Sequence, residues 1–110
     1  MKKWLLLMVG TLISSPAYSS NYVGLVEAVR VGPVNGDIVT IRMQGTISGK
    51  PLCSNNPYYD FALDLSGPGG KETFSVLLSA YHMKTSISIE GFNTCNIMSN
   101  VEDLKQLALQ

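Results

Sequence analysis

Apolar and polar residues alternate in short runs beyond residue 20, which is the pattern of half-buried β-strands. A run rich in Val and Leu at 23–31 predicts the first strand, and turn residues follow it. Alternation at 37–46, 58–65 and 85–92 predicts three more strands, each with one face packed on the core and one exposed to solvent. The positions expected to face the core are Val39, Ile41, Met43, Tyr59, Phe61, Leu63, Leu65, Ile87 and Ile89.

The period changes to that of a helix between residues 71 and 83. Apolar side chains at i, i+3, i+4 and i+7 form one stripe of this segment, while charged and hydroxyl side chains occupy the remaining positions. The stripe consists of Phe74, Leu77, Leu78 and Tyr81. The segment is therefore predicted to be an amphipathic helix of about three turns.

The segment 100–110 fits two structures. Asn100 could cap a helix that carries Glu102 and Asp103 in its first turn, whereas Leu107 and Leu109 alternate as they would in a strand. We favour the strand, because a barrel without it would have open edges.

The resulting order is three strands, one helix and two strands, with no internal repeat or linker between 20 and 110. This order predicts a mainly β (α+β) domain: a five-stranded, OB-like Greek-key barrel with one helix between strands 3 and 4. Gly24 and Gly45 suit a sheet that coils sharply. An α+β sandwich with the helix over an open sheet is the alternative.

The N-terminal segment 1–19 has the layout of a secretory signal peptide. Two lysines precede an apolar run at 4–13, and small residues follow it. Ala17 and Ser19 fit the small-x-small rule, which makes Ser20 the first mature residue; cleavage after Ala17 is the alternative. A retained anchor needs about 20 apolar residues, but this run breaks at 14–16. We therefore expect an exported protein, periplasmic or secreted, without a membrane anchor after cleavage.

Composition adds a charge and a crosslink to this prediction. The 110 residues carry 8 Lys+Arg and 8 Asp+Glu, and removal of Lys2 and Lys3 leaves six basic residues against eight acidic ones. This balance gives no basic surface for nucleic acid. A small exported domain needs a covalent crosslink, and Cys53 and Cys95 are expected to form it as a disulfide that stabilises the fold by roughly 4 kcal/mol.

No catalytic constellation stands out in the sequence. His82 is the single histidine, and neither a CxxC motif nor a GxSxG motif occurs. Asp60 and Asp64 lie about 13 Å apart along one predicted strand, which is too far for a pair of catalytic carboxylates. We expect no enzymatic activity, no cofactor and no metal site.

Polar and aromatic side chains cluster in the sequence around the two cysteines, and they form the candidate binding surface. Tyrosine supplies contact area at low entropic cost, and asparagine supplies adaptable hydrogen bonds. The alternative is that these residues only build turns. The candidates are Lys50, Asn55, Asn56, Tyr58, Asn93 and Asn96.

Several segments resemble a group of small exported bacterial proteins: 45–53 with its Cys, the aromatic strand 58–63, the helix start Gly69-Gly70-Lys71 with the helix 74–80, the strand 86–89, and Thr94-Cys95. That group is similar in layout to the OB-fold binding subunits of AB-type toxins, such as those of the subtilase cytotoxin and pertussis-like families. The resemblance implies a ring-forming homo-oligomer that binds cell-surface glycans, and it transfers no sugar-contacting residue.

The sequence thus predicts an exported, non-enzymatic binding module whose partner is a glycan or another secreted protein. The alternative is a periplasmic inhibitor or immunity-type protein that blocks a secreted hydrolase by inserting a loop.

Overall fold

The computed structural model describes residues 20–110, which form six β-strands and one α-helix. The helix, α1, lies in the chain between the fourth and fifth strands, so the fold is mainly β with one helix, as the sequence predicts. The elements are β1 (Asn21–Gly24), β2 (Val26–Arg30), β3 (Ile38–Met43), β4 (Phe61–Asp64), α1 (Gly70–Met83), β5 (Ile87–Gly91) and β6 (Glu102–Leu109). The signal peptide predicted at 1–19 lies outside the described residues.

The strands form one curled sheet in the order β1-β5-β6-β4-β3-β2. Neighbouring strands are antiparallel except β4 and β6, which are parallel. The two outermost strands of this order, β1 and β2, are consecutive in the chain. Only Leu25 separates them, and its carbonyl accepts a hydrogen bond from the Gln44 amide at 2.9 Å.

The prediction of five strands is therefore wrong in its count. The predicted first strand at 23–31 divides at Leu25, and its two halves pair with different partners, β5 and β3. The alternation breaks there, because Leu25 and Val26 are both apolar, but the run at 23–31 stays apolar through the division and therefore resembles one continuous strand.

The ring of Tyr22 fixes the geometry at this division. Its hydroxyl donates a 2.6 Å hydrogen bond to the Gln44 carbonyl, which ties β1 to the end of β3. A Cβ atom at Gly24 or at Gly45 would collide with the Tyr22 side chain, and Gly45 has a φ of 89°. Both glycines therefore make room for the ring.

The core follows the predicted alternation on β3, β4 and β5. Val39, Ile41, Met43, Phe61, Leu63, Ile87 and Ile89 are all buried. Thr40 and Ala62 are buried as well, although alternation places them on the solvent-exposed face. Ala62 is a small residue that pairs with Thr40 on one side and Asp103 on the other, and the Thr40 hydroxyl accepts a hydrogen bond from Arg30 Nε at 3.1 Å.

The helix forms where predicted but is rotated from the expected face. Leu77 and Ala80 are buried and Phe74 is half-buried, whereas Leu78 and Tyr81 remain 42% and 44% exposed. The contact stripe therefore runs through positions three residues apart, because the small Ala80 lets the helix approach the sheet closely.

The C-terminal segment is a strand, and the helical alternative is wrong. β6 pairs with both β5 and β4. Glu102 and Asp103 accept hydrogen bonds from amides of the 93–97 loop instead of from a helix N-terminus.

The predicted disulfide is confirmed. Cys53 and Cys95 are bonded with a Cα–Cα distance of 6.1 Å across a sequence separation of 42. The bond joins the loop after β3 to the loop after β5. Between residues 20 and 110, no helix is long and apolar enough to span a bilayer.

Candidate functional site

Lys50, the first candidate binding residue, lies in an ion pair. Its Nζ is 2.6 Å from Asp60 Oδ1, and both side chains are largely buried. Asp60 Oδ2 also accepts a hydrogen bond from the Met43 amide at 2.8 Å. The charge of Lys50 is thus neutralised where it fixes the loop against β3.

The asparagines near Cys53 hold the backbone. Asn56 Oδ1 accepts hydrogen bonds from the backbone amides of Tyr58 and Tyr59 at 2.8 and 3.0 Å. The backbone amide of Asn56 donates to the backbone carbonyl of Asn100. Asn55 is exposed beside it. Asn56 therefore sets the turn that presents the two tyrosines.

Asn93 and Asn96 have structural roles of the same kind. Asn93 has a φ of 69°, and its amide donates to Glu102 Oε2 at 2.9 Å. The Asn96 amide donates to both oxygens of Asp103, at 2.8 and 3.0 Å. These two carboxylates organise the loop that carries Cys95.

The structure brings only part of the predicted set together. Lys50 and Asn93 line one shallow depression of about 450 Å³ with Pro51 and Leu52. Tyr58 lines a different cleft, on the outer face of β2 and β3.

This second cleft has a volume of about 330 Å³ and combines aromatic rings with charges of both signs. We call it the arginine–tyrosine cleft. Its lining residues are Glu27, Ala28, Arg30, Arg42, Tyr58 and Tyr59.

Arg30 lies over the ring of Tyr59, with 4.6 Å between the guanidinium carbon and the ring centroid. This cation–π contact, together with the bond from Nε to the Thr40 hydroxyl, holds the guanidinium in one orientation. The bond uses Nε, whereas the two terminal nitrogens are the donors of an end-on bidentate contact with a carboxylate.

Arg42 forms a looser pair, because its Nε lies 3.7 Å from Glu27 Oε2 and both side chains are nearly half exposed. Exposed ion pairs of this kind contribute about 0–1 kcal/mol, so a ligand can replace the partner at little cost. Tyr58 is 64% exposed beside them. The cleft thus contains one guanidinium in a fixed orientation, that of Arg30. A second guanidinium, that of Arg42, can exchange its carboxylate partner for a ligand, and the ring of Tyr58 is accessible.

Sequence reasoning found Tyr58 but missed most of this cleft. Tyr59 was expected in the core and is instead half-buried under Arg30. The pairing of β2 with β3 shifts register between Val26 and Ala28, and this bulge lets the neighbouring residues Glu27 and Ala28 both line the cleft. The sequence feature that could have indicated this cleft is the presence of one arginine near the end of each of two adjacent strands, Arg30 and Arg42.

The described residues hold no cluster of three or more His, Cys, Asp or Glu side chains that could bind a metal ion. Comparison of the chain with protein-family models, with curated proteins and with solved structures gave no match. The cleft is therefore interpreted from its own geometry.

Proposed function

We propose that the protein is an exported, non-enzymatic binding module with an OB-like fold, and that its arginine–tyrosine cleft binds an acidic glycan. The observation that carries this proposal is the placement of two guanidinium groups beside two tyrosine rings on one outer sheet face.

The strand order supports the OB-like assignment. If β1 and β2 are the halves of one bent first strand, the order reads 1-4-5-3-2-1, with a parallel pair between strands 3 and 5 and the helix after strand 3. OB-folds bind oligosaccharides and oligonucleotides on the face of strands 2 and 3. The cleft adjoins this face, because Arg42 belongs to β3, the second strand in that numbering, and both tyrosines lie shortly before β4, the third.

The side chains suit an acidic sugar better than a nucleic acid. Tyrosine rings pack against the apolar faces of sugar rings, and a guanidinium binds a carboxylate in bidentate fashion. An acidic sugar has hydroxyl groups that would donate hydrogen bonds to Glu27 while its carboxylate binds the guanidinium groups, whereas a phosphodiester backbone has a negative charge at every nucleotide and no donor for Glu27. The excess of acidic residues after leader removal also disfavours nucleic acid.

Export and self-association complete the proposal. A disulfide that links two loops persists in an oxidising compartment, which agrees with removal of residues 1–19 during export. Large apolar side chains are exposed on β1, on β6 and after β5, and they suit contact with further copies of the chain. These residues are Val23, Leu109 and Phe92. A strict monomer in analytical ultracentrifugation would remove the oligomeric part.

The test is a glycan array that carries acidic oligosaccharides and their neutral counterparts, probed with the mature protein. We expect binding to acidic glycans only, and at least a tenfold loss in the Arg42→Gln variant. Lys71→Gln, which removes an exposed charge of the same sign from the helix, is the matched control and should bind as the unmodified protein does. Equal binding of acidic and neutral glycans, or no binding, would reject the proposal.

One observation favours the inhibitor alternative. Leu52 is 98% exposed between Pro51 and the disulfide-bonded Cys53, so a rigid loop presents an apolar side chain to solvent. Such a loop suits insertion into the active site of a hydrolase. If this is its function, the protein should inhibit peptidoglycan hydrolysis by a periplasmic extract, and Leu52→Asp should abolish the inhibition while leaving glycan binding unchanged.

A further inference from the structure

Glu102 is a fully buried carboxylate at the start of β6, with 0% of its surface exposed. Its Oε2 accepts hydrogen bonds from the amides of Asn93 and Ser20, at 2.9 and 3.2 Å. Its Oε1 is buried without a hydrogen-bond partner in the described part of the chain. A buried carboxylate is costly unless a positive charge and further donors satisfy it.

Within residues 20–110 the Lys and Arg side chains that form ion pairs do so with Glu27, Asp60 and Glu90, and none pairs with Glu102. Two backbone nitrogens of the described chain donate to this carboxylate, those of Ser20 and Asn93, and of these two the nitrogen of Ser20 can acquire a charge. It does so if Ser20 becomes the first residue of the chain.

The surroundings hold Ser20 in register with the carboxylate. The Ser20 carbonyl accepts a hydrogen bond from the Gly91 amide at 2.9 Å, and the next residue, Asn21, pairs with Glu90 on β5. A Cβ atom on Gly91 would collide with the Glu102 carboxylate. Ser20 is itself fully buried, and its hydroxyl likewise has no hydrogen-bond partner among residues 20–110.

We propose that Glu102 is a buried receptor for the α-ammonium group of Ser20, which forms when the leader is cut between Ser19 and Ser20. This inference rests on the proposed export. A leader-cleaving peptidase adds water across the Ser19–Ser20 peptide bond; Ser19 leaves as a carboxylate, and Ser20 nitrogen becomes an ammonium group with three protons. One proton keeps the bond to Oε2, and a second reaches Oε1.

Leader cleavage then stabilises the fold directly. The Ser20 nitrogen of the precursor is a peptide amide with one proton and no charge, whereas that of the cleaved chain is an ammonium group that can satisfy both oxygens of Glu102. Of the two predicted cleavage positions, the one after Ser19 puts the new charge at Glu102. Cleavage after Ala17 would leave the charge two residues away from Glu102.

The experiment compares two oxidised chains of equal net charge: one that begins at Ser20 and one that carries a single extra Gly before it. We expect the midpoint of thermal unfolding to be about 4–8 °C higher for the chain that begins at Ser20, and the difference to vanish when both carry Glu102→Gln. Equal midpoints in the two unmodified chains would overturn the proposal.

The rate of acylation of the terminal amine gives a second readout that does not depend on how the Glu102 variant folds. We expect the Ser20 amine to react at least tenfold more slowly than the Gly amine, and equal rates would overturn the proposal. N-terminal sequencing of the protein recovered separately from the periplasm, the medium and the cytoplasm distinguishes failure of the receptor from failure of export. An exported chain that begins at Ser20 supports the receptor, and one that begins at Tyr18 overturns it while leaving export intact. A chain found uncut and only in the cytoplasm overturns export itself.

Discussion

The guanidinium of Arg30 lies 4.6 Å above the ring of Tyr59, and the Arg30 Nε bond to Thr40 fixes it there. This pair joins β2 to the segment before β4 and gives the cleft a preorganised cation. Preorganisation lowers the entropic cost of binding, so the geometry of Arg30 should matter as much as its charge.

Replacement of Arg30 by Lys tests that geometry. The variant keeps the charge but loses the planar group that stacks on Tyr59 and binds a carboxylate with two parallel hydrogen bonds. We expect its affinity for an acidic oligosaccharide to fall by about tenfold in isothermal titration calorimetry, which is about 1.4 kcal/mol. Lys71→Arg serves as the control, and wild-type affinity in Arg30→Lys would contradict the assigned role.

Reduction of the disulfide should lower the free energy of unfolding by about 3–4 kcal/mol, because the bond constrains a long loop in the unfolded chain. Urea denaturation of the mature protein with and without a thiol reductant measures this. The Cys53→Ser/Cys95→Ser double variant should behave as the reduced protein does and should not respond to the reductant. An unchanged urea midpoint on reduction would show that the crosslink is dispensable.

Gly91→Ala should destabilise the protein by about 2–3 kcal/mol, because the added methyl group would collide with the buried Glu102 carboxylate. Gly32→Ala is the matched control. Gly32 has an extended φ of 172° and open space around the position of a Cβ atom, so its substitution should cost little. Equal urea midpoints for the two variants would contradict the tight packing of Gly91 on Glu102.

Asp103→Asn should loosen the loop that carries Cys95. The carboxylate accepts hydrogen bonds from the Thr94 hydroxyl and from the amides of Asn96 and Ile97. An amide side chain keeps one acceptor oxygen and loses the charge, so we expect the stability to fall by about 2 kcal/mol. Hydrogen exchange at the Asn96 and Ile97 amides should accelerate, whereas Asp37→Asn, at an exposed position, should leave their rates unchanged.

The pKa of Asp64 is lowered from 3.8 by hydrogen bonds from the Ser66 hydroxyl and the Ser66 amide. Because the folded pKa lies below the unfolded one, the contribution of Asp64 to stability is present above pH 3.8 and is lost as the pH falls through the folded pKa. Ser66→Ala should move the pKa of Asp64 back toward 3.8 in a carboxyl NMR titration. An unchanged pKa would assign the shift to the backbone amide alone.

Local patterns predicted most of the fold, because alternation on β3, β4 and β5 and the helical period at 71–83 report directly on burial. The division at Leu25 was missed because the run at 23–31 stays apolar through Leu25 and Val26 and so resembles one continuous strand, whereas the pairing of β1 with β5 reveals two. The strand at 100–110 was predicted, but the burial of Glu102 within it was not, since no local pattern indicates a buried carboxylate.

The site was less predictable than the fold. Asn56, Asn93 and Asn96 are conspicuous in the sequence, yet the hydrogen bonds that they form organise loops. Arg30 and Tyr59 lie 29 positions apart in the chain and meet only through strand pairing, so sequence spacing could not bring them together.

An NMR titration of the mature protein with an acidic oligosaccharide is the sharpest test of glycan binding in the arginine–tyrosine cleft, because backbone amide shifts show both whether the ligand binds and where. We expect saturable shifts that centre on Ala28, Arg30, Arg42, Tyr58 and Tyr59, with none caused by the neutral counterpart. Shifts centred on Lys50, Leu52 and Asn93, or no shifts at all, would contradict it.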